Sequence, residues 1–120
     1  MQKLTLSITD YPDLPNAKLI YFEGDFDGYA EDTIVEVQMA IEAAGPGSTI
    51  IFDFSKLNYL NSFAIGQLVS WHNIMNTKQG KILIVGINKN IEDIFSVLGI
   101  ESVFKTYSNL EELKAAQQQD

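Results

Sequence analysis

The chain has 120 residues, no cysteine, and a formal charge of −8 with a pI near 4.4. That length supports one domain around a single core. The acidity argues against nucleic acid and anionic membrane surfaces, which select basic patches, and the lack of thiols rules out disulfides, thiolate nucleophiles and zinc clusters. All eight cations are lysine, so the planar fork that grips phosphate or carboxylate is missing as well.

Lys3, Leu4, Thr5, Leu6, Ser7 and Ile8 alternate with period two, as in a half-exposed strand at a sheet edge. Tyr11 to Asn16, with Pro12, Asp13 and Pro15, has the composition of a turn. Lys18–Glu23 forms a second strand around Leu19, Ile20, Tyr21 and Phe22, and residues 24–28, carrying Asp25 and Asp27, form a loop. A helix is expected from about Tyr29 to Ala44, because Ile34, Val37, Ile41 and Ala44 recur at three- and four-residue steps. Glu31 and Asp32 suit the positive end of its dipole, and Gly45-Pro46-Gly47 stops it.

Ile50 to Phe54 is a nearly continuous apolar run, the pattern of a strand buried on both faces. A loop over 55–61 should then lead to Asn61-Ser62, two good N-cap types, and a helix running to about Lys78. Ile65, Leu68, Trp71 or His72, and Met75 share one side of that helix. Lys81–Val85 is a short apolar strand ending at Gly86. Asn90 is placed to cap a third helix that turns Ile91, Ile94, Phe95 and Leu98 inward and stops at Gly99. Val103 and Phe104 mark a last strand, and Ser108-Asn109-Leu110-Glu111 has the form of a capping box for a C-terminal helix, with fraying from Gln117 to Asp120.

The expected fold class is therefore α/β: one domain over 1–120, a mixed, mostly parallel sheet of about five strands with four helices. The first two strands are joined by a short turn and can pair antiparallel. No apolar run approaches the ~20 residues of a membrane span, so no membrane insertion and a cytoplasmic location are expected.

Three stretches together resemble the STAS family, the domain of bacterial anti-sigma factor antagonists. Gly24-Asp25-Phe26-Asp27 resembles its Gly-x-hydrophobic-Asp after the second strand. Phe52-Asp53-Phe54-Ser55, followed by Leu60-Asn61-Ser62-Phe63-Ala64-Ile65-Gly66, resembles its Asp-Leu-Ser … Ile-Asp-Ser-Ser-Gly-Leu-Gly signature. Gly80 to Ile87, with Ile91, Phe95, Leu98-Gly99-Ile100 and Phe104, resembles its C-terminal half. The resemblance implies a regulatory interaction module, not an enzyme, with Ser62 phosphorylated by a partner anti-sigma factor that is a serine kinase and itself binds ATP. It implies no cofactor and no metal in this chain, and leaves room for a homodimer. The switch surface would comprise Asp25, Asp27, Asn58, Tyr59, Asn61 and Phe63. Asn61, Phe63 and Ala64 depart from the family's Asp, second Ser or Thr, and Gly. STAS-like domains also serve as unphosphorylated scaffolds or accessory subunits, for example of lipid-transport systems, or bind small ligands.

Other readings of the same residues are simpler. Ser62 can be an N-cap alone. Asp25 and Asp27 can be a solvated loop, since two carboxylates are too few for a metal. Asp53 in a buried strand needs a partner, expected from the loop that follows. A Ser62–His72 hydrolase pair fails on geometry, because ten residues of one helix span ~15 Å and a nucleophile and its base must approach within ~3 Å.

Overall fold

The structure, a computed structural model, describes residues 2–118. Its elements in chain order are β1 (Thr5–Asp10), β2 (Ala17–Phe26), α1 (Glu31–Ala43), β3 (Thr49–Leu60), α2 (Ser62–Thr77), β4 (Lys81–Val85), α3 (Lys89–Val97), β5 (Lys105–Tyr107) and α4 (Leu110–Gln117). The strands lie in the order β1-β2-β3-β4-β5. β1 is antiparallel to β2, and every other neighbour is parallel. The expected mixed sheet with four helices is what forms.

The pleat divides the strand residues between two layers. On one face, Ile20, Phe22, Ile50, Phe52 and Phe54 meet α1 through Ile34, Val37 and Ile41, α2 through Leu68, Trp71 and Met75, and α3 through Ile91 and Phe95. Phe22 packs edge-on against Phe52 and Phe54 at 5.0 Å each. Trp71 lies edge-on to Phe52 at 5.9 Å, and its indole N–H donates to Gln38 Oε1 at 2.7 Å. On the other face, Leu19, Ile51, Leu83 and Val85 are covered by Tyr11 and by Leu113 of α4. Burial of each large side chain contributes roughly 1.5–3 kcal/mol, so β3, apolar on both sides, is the natural centre of the sheet.

Several boundaries differ from expectation. β2 continues through Asp25 to Phe26, and β3 continues through the expected loop to Leu60. The two extensions pair with each other, Gly24 with Leu57, Asp25 with Tyr59 and Phe26 with Leu60, across two register shifts. The outermost strand on the far side is Lys105–Tyr107, not Val103–Phe104, because Phe104 turns into the core against Phe95 and His72. Caps also move. Asn88, not Asn90, accepts from Ile91 N at 2.9 Å, and Asn109, not Ser108, accepts from Glu112 N at 2.9 Å. Gln117 belongs to α4 and bonds Tyr107 and Lys81 rather than fraying, while Gln119 and Asp120 lie outside the described residues.

α1 has no basic residue in its last turn. Its free carbonyls are instead satisfied from the C-cap of α2, where Lys78 Nζ donates to Ile41 O, Glu42 O and Ala44 O at 2.8–2.9 Å. A cation there also opposes the negative end of the α1 dipole.

Candidate functional site

The site forms where two strand-to-helix junctions lie side by side, at the C-terminal ends of β2 and β3. Their pairing ends at Phe26 and Leu60, and Asn61 then does three things. Its N–H donates to Phe26 O at 3.3 Å, its Oδ1 accepts from Ala64 N at 3.1 Å, and its Nδ2 donates to Asp27 O at 3.1 Å. One amide side chain therefore caps α2 and clamps the β2–α1 loop. An amide can accept and donate at once, whereas an ionised carboxylate only accepts. This gives the Asn at 61 a physical role that Asp could fill only in part.

Since Asn61 is the cap, Ser62 is the first residue of α2 rather than its N-cap, and it is exposed. The first turn of α2 carries no acidic residue. The Ser62 hydroxyl thus stands in water at a helix end rich in free N–H groups and positive potential. Phe63 packs its ring on Gly28, where an added Cβ would lie 2.9 Å from Phe63 Cδ2, yet it stays 43% exposed. Ala64 is fully buried in the core, so its methyl group does not narrow the surface at Ser62.

Asp27, half-buried, accepts from Tyr29 N at 3.1 Å through Oδ1 and from Asn61 through its carbonyl. Asp27, Asn61, Ser62 and Phe63 therefore belong to one surface. Asp25 does not. It is a buried residue of β2 whose carboxylate accepts from Gln2 N at 3.0 Å while its own N–H donates to Gln2 O at 3.0 Å. It ties the N-terminal segment down and is unavailable as an open contact. Asn58, exposed, donates to Gln2 Oε1 at 3.0 Å, and Tyr59, also exposed, pairs with Asp25 across the sheet. These two border the site on the β3 side.

Two contributors escaped the sequence reading. Tyr29 projects into solvent at 86% exposure beside Asp27, and Gln2 holds Asp25 and Asn58. Neither carries a sequence signal, since an aromatic in a short loop and a terminal glutamine are both commonplace.

Among the described residues no three His, Cys, Asp or Glu side chains gather as a metal site. His72 shares α2 with Ser62 and lies edge-on to Phe104 at 5.5 Å. Asp53 is buried and accepts from Ser55 N at 2.8 Å, the local partner its burial requires. A cavity of about 570 Å³ opens at the opposite end of the parallel strands, between Tyr11, Ala17, Ala44 and Ile50. The Ser62 surface instead carries one hydroxyl, the Asp27 carboxylate and exposed aromatic rings. No helix among the described residues is long and apolar enough to cross a membrane.

A family model described as STAS domain matches residues 9–113. Among solved structures, an anti-sigma-factor antagonist (STAS) domain protein from Planctomyces limnophilus aligns with a TM-score of 0.79 and 18% identity, over 92% of this chain and 96% of that one. An anti-sigma factor antagonist from Mycobacterium paratuberculosis aligns with a TM-score of 0.79 and 15% identity, over 98% and 96%. The Bacillus cell-fate determinant SpoIIAA in its phosphorylated form aligns with a TM-score of 0.69 and 17% identity, over 93% and 99%. No curated protein matches the chain in sequence. At these identities the structural likenesses speak to the fold.

Proposed function

Since this chain belongs to the STAS domain family, we propose that it is a regulatory interaction module of the anti-sigma factor antagonist kind, switched by phosphorylation of Ser62 by a partner serine kinase. The observation that carries this reading is the exposed Ser62 hydroxyl at the first residue of α2, freed from capping by Asn61 and set beside the Asp27 loop. The kinase, an anti-sigma factor, supplies ATP and its magnesium. Ser62 Oγ attacks the γ-phosphorus, the bond to the β–γ bridging oxygen breaks, ADP leaves, and a base of the kinase takes the hydroxyl proton. This chain needs no catalytic group or cofactor of its own. Such an exchange belongs in the cytoplasm, where ATP and sigma factors are found.

Phosphoserine adds close to two negative charges at pH 7. At this position they meet the free N–H groups of α2, which favour the modified state. They also stand near Asp27 in a chain already at −8, which disfavours a docked acidic or apolar partner surface. Phosphorylation therefore changes partner choice while leaving the fold in place. Tyr29, Tyr59 and Phe63, exposed at 86%, 48% and 43%, supply the apolar contact area around the switch.

Those rings also support a second reading, in which the same patch docks a subunit without any phosphate, as a scaffold would. Incubation with cognate serine kinases and ATP, followed by mass spectrometry of the intact chain and its peptides, separates the two. Phosphate on Ser62 that weakens a preformed complex is expected. A stable complex with no phosphate on Ser62 transfers the case to the scaffold.

A further inference from the structure

The two edges of the sheet are built differently. β5 is three residues long and begins at Lys105. β1 is six residues long, pairs with β2 through six consecutive residues without a bulge, and exposes five of its six residues. An open edge presents unpaired N–H and C=O groups, and natural sheets blunt such edges with lysine, proline, bulges or a covering element. Thr5 to Thr9 contains no proline, no lysine and no charge. Asp10 is the strand's one charged side chain, and Lys18 already neutralises it at 2.5 Å. In an acidic chain this edge is an uncharged lane.

The lane is also nearly palindromic about Ser7, reading Thr5-Leu6-Ser7-Ile8-Thr9. In an antiparallel ladder, residues directly opposite share a face. A two-fold axis through Ser7 sets Ser7 against Ser7, Leu6 against Ile8, and Thr5 against Thr9, so apolar meets apolar and hydroxyl meets hydroxyl at every rung. Leu6 and Ile8 stand opposite Phe22 and Ile20 of β2. Their row would then continue the core layer from one copy into the next, covering Ile8, which is 38% exposed in the single chain.

We propose that β1 pairs antiparallel with β1 of a second copy of this chain, about a two-fold axis at Ser7, joining two sheets edge to edge. The contact is isologous, the same patch on both copies. It is also short, about 20 Å of strand, and falls well below the ~1,600 Å² of a standard interface. The dimer is accordingly weak and exchanges with monomer. Each copy carries −8, so the long-range repulsion is screened by salt and association strengthens as ionic strength rises. β1 flanks β2 on the side away from β3, from which Ser62 follows, so this edge and the switch surface are independent.

The absence of cysteine makes the register readable by cross-linking. Three single variants are compared, Thr5→Cys, Ser7→Cys and Thr9→Cys, with diamide as the two-electron oxidant of the paired thiols. Across the axis, the two copies of position 7 have Cα atoms about 4.5–5.5 Å apart, inside the range a disulfide spans. Two copies of position 5, or of position 9, are offset by four residues and lie at least ~13 Å apart. Covalent dimer is expected from Ser7→Cys alone, from an equal mixture of Thr5→Cys and Thr9→Cys, and from neither of those two alone. Equal yields from all three single variants, or none from any at about 1 mM protein in about 0.5 M salt, overturns the proposal. Selective capture of an added extended peptide by this edge, with no chain–chain product, overturns it too. Ser7→Lys, which sets two ammonium groups face to face on the axis, should weaken sedimentation-detected self-association by about tenfold or more with an unchanged melting temperature. Unchanged association would place the contact elsewhere.

Discussion

The two junctions that build the site are opposites in construction. Between β3 and α2 there is one residue, Asn61, with its backbone and side chain both bonded. Between β2 and α1 there are four residues, ending on an Ala30 N-cap that makes no side-chain bond and including Tyr29 in open solvent. The first junction is held by its own chemistry. The second has one internal side-chain bond, Tyr29 N to Asp27 Oδ1, and is otherwise held by its neighbour, through the Asn61–Asp27 bond and the Phe63 ring on Gly28. The candidate surface thus joins a junction whose cap bonds through its side chain to one whose N-cap makes no side-chain bond.

The largest way to break this comparison is to remove the core anchor of α2. Leu68→Ala, at a fully buried position on α2, should cost roughly 2–5 kcal/mol in denaturant titration. A loss below ~0.5 kcal/mol, the range of ordinary surface changes, would show that α2 is not held by its core face. Next comes Gly28→Ala. Its φ of +95° and the Phe63 ring 2.9 Å from the new Cβ both resist the substitution, and a cost of about 1–3 kcal/mol is expected, with Phe63 displaced. Calorimetry together with Phe63 ring shifts in NMR would show whether the two junctions are in contact as described.

Asn61 sharpens the comparison because its two roles can be separated. Asn61→Ala should cost about 0.5–2 kcal/mol as a lost cap. Asn61→Asp should keep the cap but lose the donor to Asp27 O. It should then leave α2 as protected as before while amide exchange at residues 27–30 accelerates. Equal loss of protection in α2 and in residues 27–30 would mean the junctions are one cooperative unit. The smallest effect belongs to Ser62→Ala. With Asn61 as the cap, it should stay within about 0.5 kcal/mol of the parent, while kinase-dependent modification disappears. Ser62→Asp should likewise stay folded, since its charge suits the α2 dipole, but should weaken partner docking in a salt-dependent way. Docking as tight as that of the parent would separate Ser62 from the interface.

These variants also mark where sequence reasoning stopped short. The strand runs at Ile50–Phe54 and Ile82–Val85, the helix stripes of α1 and α2, and the position of Ser62 at a helix start all followed from residue type and period, because burial on one or two faces imposes that pattern directly. The extension of β3 to Leu60 did not. Ser55 to Leu60 has no strand pattern of its own, and it is held by partners distant in the chain: Glu23 to Phe26 alongside, Gln2 on Asn58 and Asn88 on Leu57. The burial of Asp25 had the same origin, since its carboxylate is satisfied by Gln2, far away in the chain.

The caps show the division most clearly. For α2 both Asn61 and Ser62 were candidates and Asn61 caps; for α3 and α4 the sequence pointed to Asn90 and Ser108, and the caps are Asn88 and Asn109, side chains of like chemistry within two residues. What the sequence by itself determined was that a helix begins there, because only such residues supply an oxygen to the orphan N–H groups of the first turn. Which residue caps was decided by tertiary structure. At 61 the end of the β2–β3 ladder holds the backbone through Asn61 N–H and Phe26 O. At 88 the Nδ2 of Asn88 is bound to Leu57 O of β3. A cap needs an extended backbone as well as an oxygen, and those long-range hydrogen bonds hold it, so the free hydroxyl of Ser62 is a consequence of where its neighbours in space stop pairing.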